Sequence, residues 1–289
     1  MTIRAFASRY QIFLYYVLTF VISWGGILWV IGGPAGIPAD PSVGDDVILR
    51  VMMALFAGPS IGGLLMIGIT QGSAGFRRLL SRLGNWRAGA QWYLIALLTA
   101  PALFSIVVFI LSFFSPAYVS GIIAAEDKIF LIIFGISYGF IGGGILEELG
   151  WTGFAIPALR ERYSALRTGV IAGILWGAWH FMVILWMSDP TGEIPIPLLL
   201  PIQLFSWLPA YRTLMLLVYE RTEGSMPIAI LMHTSLSASM LIIQPSGMKG
   251  MTLLIFILSF AALLWLVTAI ALLAAQRGNS RPPQGSVGI

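Results

Sequence analysis

Apolar runs of about 17–25 residues recur along the chain, each ended by a short polar loop, and that length is what a helix needs to cross a bilayer. Eight such runs predict eight spanning helices, at roughly 11–31, 47–70, 91–114, 129–151, 168–187, 196–219, 226–243 and 251–275. No internal repeat and no shift in composition marks a second domain. The pattern therefore predicts an all-α fold, a polytopic membrane bundle of about eight helices forming a single domain over 1–275. A polar segment over 276–289 reads as a disordered tail. The first apolar run follows a basic N-terminus and carries no small-x-small cleavage site, so it reads as a retained helix rather than a signal peptide.

Composition supports the membrane reading. Of 289 residues, 58% are hydrophobic and 10% charged, where a soluble domain carries about 25% charged residues. Mean hydropathy is +0.91. With no cysteine in the chain, thiol nucleophiles, disulfides and cysteine metal sites are excluded. The net charge of +4 comes from basic residues spread over several loops, which argues against a nucleic-acid partner and for contact with membrane lipid headgroups.

The distribution of Lys and Arg sets an orientation. Arg4, Arg9, Arg77, Arg78, Arg82, Arg87, Arg160, Arg162, Arg167, Arg221, Arg277 and Arg281 share one side, against Arg50, Lys128 and Lys249 on the other. Both termini are thus expected in the cytoplasm, with the protein in the cytoplasmic membrane.

Removing the loop charges leaves Glu147, Glu148, His180, Arg212 and His233 within the spans, and these two histidines are all the chain has. Ionisable groups in a bilayer are costly and by default face a cavity and mark function. At about 1.5 Å of rise per residue, Glu147, His180 and His233 lie about 6, 18 and 10 Å from the arginine-rich end. A shared hydrated pocket open to the cytoplasm is expected. Each residue also has a plainer reading: the glutamates as interfacial residues, the histidines as packed hydrogen-bonding groups, Arg212 as a snorkelling cation. Gly139 and Gly143 have the spacing of close helix packing.

A carboxylate with two imidazoles forms a hydrolytic set. Glu can serve as general base towards water, while two neutral histidines position that water or bind a divalent metal with it. No His-Glu-x-x-His run is present, so a metal would draw its ligands from separate helices. Two adjacent glutamates in a low dielectric repel, and one of them needs a shared proton or a cationic partner.

These residues resemble the motifs of the CPBP intramembrane proteases, the CAAX protease and bacteriocin-processing (Abi) family. Its Glu-Glu-x-x-x-Arg motif resembles "EELGWT" from Glu147 and Glu148 to Thr152. Its Phe-x-x-x-His motif is similar to "WGAWH", with Trp176 in the Phe place and His180 retained. Its His-x-x-x-Asn motif resembles "HTSLS", His233 to Ser237. The likeness covers a protease-like core of about 130–245. It implies an eight-helix bundle that cleaves a peptide bond within the membrane, with a peptide or lipidated protein as substrate. It also implies that Glu147 activates water while His180, His233 and Ser237 hold that water or a metal. With His180, His233 and Glu147 as ligands, zinc is the metal expected. Glu148 belongs to the same catalytic set, and Thr152, Trp176 and Arg212 support it. Thr152 stands where the family has Arg, so Glu148 either has its acidity weakened or turns to Arg212. A non-catalytic membrane adaptor or immunity protein of the same fold is the first alternative. A proton-coupled transporter is the second, without the inverted repeat that would favour it.

Overall fold

The computed structural model describes residues 2–189 and 191–279, so most of the expected tail, residues 280–289, lies outside the described residues. All the regular structure among the described residues is helical, with no strand among them. In chain order the main helices are α1 (Ile3–Arg9), α2 (Gln11–Val30), α3 (Asp45–Leu83), α4 (Ala90–Ser112), α5 (Lys128–Arg160), α6 (Ala165–Trp186), α7 (Ile196–Phe205), α8 (Leu208–Arg221), α9 (Met226–Ile242) and α10 (Gly250–Asn279). Six of them, α2 to α6 and α10, are long and apolar enough to cross a membrane. The outward faces carry exposed Phe13, Trp29, Phe109, Ile133 and Leu266, so the bundle's solvent is lipid. The protein is a multi-pass membrane protein.

The structure differs from the eight expected spans in four places. The run 196–219 is two helices, α7 and α8, separated at Ser206 and Trp207. Pro209 explains the break: it has no N–H, and its ring would meet the carbonyl four residues earlier, at Phe205. α9 has 17 residues, about 25 Å of rise, short of a full hydrocarbon core. The run 129–151 continues to Arg160, which moves Glu147 and Glu148 from the expected end of a helix to its interior. α3 also outruns its expected limit of residue 70. It bends at Gly72, whose φ of 62° only glycine adopts readily, and carries Arg77, Arg78 and Arg82 beyond the bend.

α9 lies at the centre, against α4, α5 and α8, while α2 pairs with α3 and α6 with α7 and α8. Several buried polar atoms are paired between helices, as an apolar environment favours. Trp179 Nε1 on α6 donates to Ser23 Oγ on α2 (2.8 Å), and Ser23 donates to the Leu55 carbonyl on α3 (2.6 Å). Ser235 Oγ on α9 donates to the Ala96 carbonyl on α4 (2.7 Å).

α5 is wound wider than an α-helix over Gly139–Glu147 and again over Trp151–Ala155, a departure that concentrates at functional sites. Glycines let its neighbours approach this segment. A Cβ on Gly139 would stand 2.8 Å from the Thr234 carbonyl of α9, and one on Gly150 would stand 2.1 Å from the Pro59 carbonyl of α3. Outside the helices, Asp189 is held down at about 2 by the Thr191 hydroxyl and backbone N–H and by Lys249, whose ammonium lies 3.2 Å away.

Gly150→Ala is expected to destabilise the protein by about 1–3 kcal/mol, the range for overpacking a filled interior, read as a lowered thermal midpoint in detergent. An unchanged midpoint would contradict the α3–α5 contact.

Candidate active site

Glu147 and Glu148 are neighbours on a helix, so their side chains leave it roughly 100° apart, and they enter different surroundings. Both are buried. Glu148 points between α8 and α9. Its Oε1 accepts from Arg212 Nη1 (2.7 Å) and meets His233 Nδ1 (2.7 Å), while its Oε2 accepts from the Thr152 hydroxyl one turn along α5. A carboxylate only accepts, so His233 Nδ1 is the donor of this hydrogen bond, and in the neutral ring Nε2 is then the bare nitrogen. Thr152 stands on Glu148, as its i+4 spacing allowed, and Arg212 supplies the cation that "EELGWT" lacks. Arg212 also lies over the Trp176 ring (5.4 Å), and its Nη2 finds no acceptor among the described residues.

Glu147 faces a cavity of about 230 Å³. Its Oε2 accepts from two indoles, Trp151 Nε1 (3.0 Å) and Trp176 Nε1 (2.8 Å). That leaves Oε1, which lies 3.9 Å from His233 Nε2. The separation is too long for a direct hydrogen bond and suits one bridging water. His180 Nδ1 pairs with the Trp176 carbonyl one turn back (2.9 Å); a carbonyl only accepts, so His180 Nε2 is the free acceptor. His180, His233 and Ser237 line the same cavity as Glu147.

Of the residues singled out in the sequence, Glu147, His180, His233 and Ser237 therefore meet at one cavity. Glu148, Thr152 and Arg212 form a buried network behind it, and Trp176 belongs to both. Among the described residues no group of three or more His, Asp or Glu side chains is gathered closely enough to hold a metal ion. The expected zinc set of His180, His233 and Glu147 is not assembled as a cage among the described residues.

Two contributors escaped the sequence reading. Trp151 stands four residues after Glu147, one turn away on the same face, and that spacing is the signal that could have found it. Gly143 was read as packing alone, yet a Cβ there would lie 2.6 Å from Ser237 Oγ and 2.8 Å from His233 Nε2. The absence of a side chain at Gly143 keeps the face of His233 open.

The cavity also runs the other way from expectation. From Glu147 it extends past Val183 to Met187, just after α6, and past Ser237 to Met240 on α9, toward the end that carries Asp189 and Lys249. The arginine-rich side is filled by buried Trp151, Phe154, Met215 and Arg212.

Residues 129–239 match the family model described as type II CAAX prenyl endopeptidase, Rce1-like, a segment that opens within α5, closes within α9 and holds every cavity-lining residue named above from Gly143 to Ser237. The chain is similar to CAAX prenyl protease 2 of Methanococcus maripaludis, with 27% identity over 195 residues, 64% of this chain and 67% of that protein. The likeness carried by the three motifs is thereby shown.

Arg212→Met keeps the bulk of the side chain and leaves Glu148 without its cation. A broken buried ion pair costs about 3–5 kcal/mol, so the variant is expected to lose most of its thermal stability in detergent. Arg212→Met with Glu148→Gln should recover part of the loss; no recovery would show that the pair is not what Arg212 contributes.

Proposed function

We propose, on the premise that the motif-bearing spans are an Rce1-like CAAX endopeptidase domain, that this chain hydrolyses a peptide bond of a membrane-associated protein or peptide inside the bilayer, with Glu147 as the general base. The observation that carries the reading is the 3.9 Å gap between Glu147 Oε1 and His233 Nε2. Both atoms are acceptors. A water between them donates one hydrogen to each, which turns its lone pairs toward the cavity where a scissile carbonyl would lie.

In the proposed reaction the water oxygen attacks the carbonyl carbon as its proton passes to Glu147 Oε1. The C–O bond forms, the carbonyl π bond opens onto oxygen, and the proton is then delivered to the leaving amine as the C–N bond breaks. The indole N–H groups of Trp151 and Trp176 fix the other carboxylate oxygen, so Glu147 presents one oxygen in one direction. Glu148 holds His233 in the tautomer with Nε2 bare and steadies positive charge that develops on the ring, the task of a buried carboxylate behind a catalytic histidine. His180 and the Ser237 hydroxyl offer further polar contacts to water or substrate. The walls fit an apolar or lipid-bearing chain: Met52, Phe56, Leu204 and Leu241 line the cavity beside the polar cluster.

The test is cleavage of a panel of apolar and lipidated peptides by purified protein. Glu147→Gln and His233→Ala are expected to lower kcat by about 10²–10⁴, the range for losing a positioned acid or base. Equal cleavage by wild type and Glu147→Gln would sink the proposal. Trp176→Phe, which installs the family's aromatic and removes one hydrogen bond to Glu147, should lower kcat about tenfold with the fold intact. Gly143→Ala should abolish cleavage by covering His233. Side chains alone holding the water predict that activity survives dialysis against a chelator; loss restored by zinc would instead add a metal to His180 and His233.

A further inference from the structure

Hydrolysis needs water as its second reactant, and water has to reach Glu147 through a bundle whose outer surface is apolar. The cavity at Glu147 is bounded at its far end by Ile184, Met187 and Gln203. These three residues also wall a second cavity, of about 320 Å³, whose remaining lining brings in Ser188, Asp189 and Lys249. Met187, Ser188, Asp189 and Lys249 in turn border a third, of about 600 Å³, that reaches Asp40 in the loop after α2. The three spaces are stepped end to end, and charged groups enter the lining with distance from the site. A water occupies about 30 Å³ of the liquid, so each space has room for several.

In the opposite direction the space beside the glutamates is tight. Between the glutamates and the arginine-rich end, the gap lined by Thr152, Ile156, Arg212, Met215, Leu216 and Tyr219 has no room for a water-sized sphere. Arg82 seals the layer beyond it, donating to the Gly153 carbonyl (2.8 Å) and to the Tyr219 hydroxyl (3.2 Å).

We infer that this stepped series of cavities is the aqueous route to the site: water enters at the Asp189–Lys249 end of the bundle and passes a neck at Met187 and Gln203 to reach Glu147 and His233. The Asp189–Lys249 ion pair stands at the mouth, and Gln203 is the polar group at the neck. The identity of the reactant rests on the hydrolytic reading above; the route is tested without it.

The chain has no cysteine, so single cysteines report access without background. Ser237→Cys lies on the site wall and Gln203→Cys at the neck. Glu126→Cys is exposed at the Asp189–Lys249 end, and Arg87→Cys is exposed at the arginine-rich end. Each variant, in sealed vesicles of one orientation, is treated with a small, charged, membrane-impermeant thiosulfonate added first to one side and then to the other. Ser237→Cys and Gln203→Cys are expected to react from the side that labels Glu126→Cys and not from the side that labels Arg87→Cys. Met187→Trp should abolish reaction at Ser237→Cys and leave Glu126→Cys unchanged. Labelling from the Arg87→Cys side overturns the route. So does no labelling at both inner positions in protein that purifies like wild type, and so does indifference to Met187→Trp. One-sided labelling without peptide cleavage would leave the route standing and remove the hydrolase, so the two failures are distinct.

Discussion

A carboxylate buried in the middle of a membrane protein has to be paired, and the pairing of Glu148 organises the structure around it. Its donors come from three elements: Thr152 on its own helix, Arg212 on α8 and His233 on α9. Removing charges from water costs several kcal/mol per ion, recovered only when geometry and hydrogen bonding are complete. The network therefore holds α5, α8 and α9 in one relative placement, because displacement of any helix strands a charge in a low dielectric. It also sets the histidine: with Nδ1 committed to Glu148, His233 has only Nε2 to offer the cavity.

Glu147 is positioned by a different device. Two indole N–H groups occupy one of its oxygens, and the aromatic rings carrying them fill the space around it. Trp176 stacks edge-on against His233 at 5.0 Å between centroids and Trp151 against Trp179 at 5.6 Å. One tryptophan thus supplies hydrogen bonding, packing and a face for the Arg212 guanidinium. Neighbouring glutamates with the same chemistry acquire separate roles through direction alone, one turned into a wall of donors and the other into a cavity. Helical geometry makes the divergence automatic, and the widened turns of α5 with their glycines let α9 come close enough to exploit it.

The break between α7 and α8 shapes the cavity. Gln203 and Leu204, before the break, and Trp207 and Leu208, at and after it, all line the space in front of Glu147. A continuous helix would have satisfied its own backbone and presented one straight face. The interruption at Pro209 instead turns two short helices around the site, a form of irregular backbone that membranes tolerate where it borders protein or a polar cavity.

The sequence by itself determined the membrane class, the helical fold, most of the helix limits and the short roster of ionisable residues within the spans. These follow from local quantities, because a bilayer penalises each uncovered polar group where it stands. Even the partner of Glu148 was half legible, since a buried carboxylate needs a cation and Arg212 was the one basic residue inside the spans. Tertiary structure decided the rest. Glu148 and Arg212 are 64 positions apart and Glu148 and His233 are 85 apart, and no local pattern specifies which helices meet. The indole bonds to Glu147 across α5 and α6, the need for a bare glycine at Gly143 and the direction in which the cavity opens all depend on that packing. The opening was expected toward the arginines because charge marks where loops lie. Which end of a bundle is filled depends on the volumes that meet there, and Trp151, Phe154 and Met215 close the arginine-rich end.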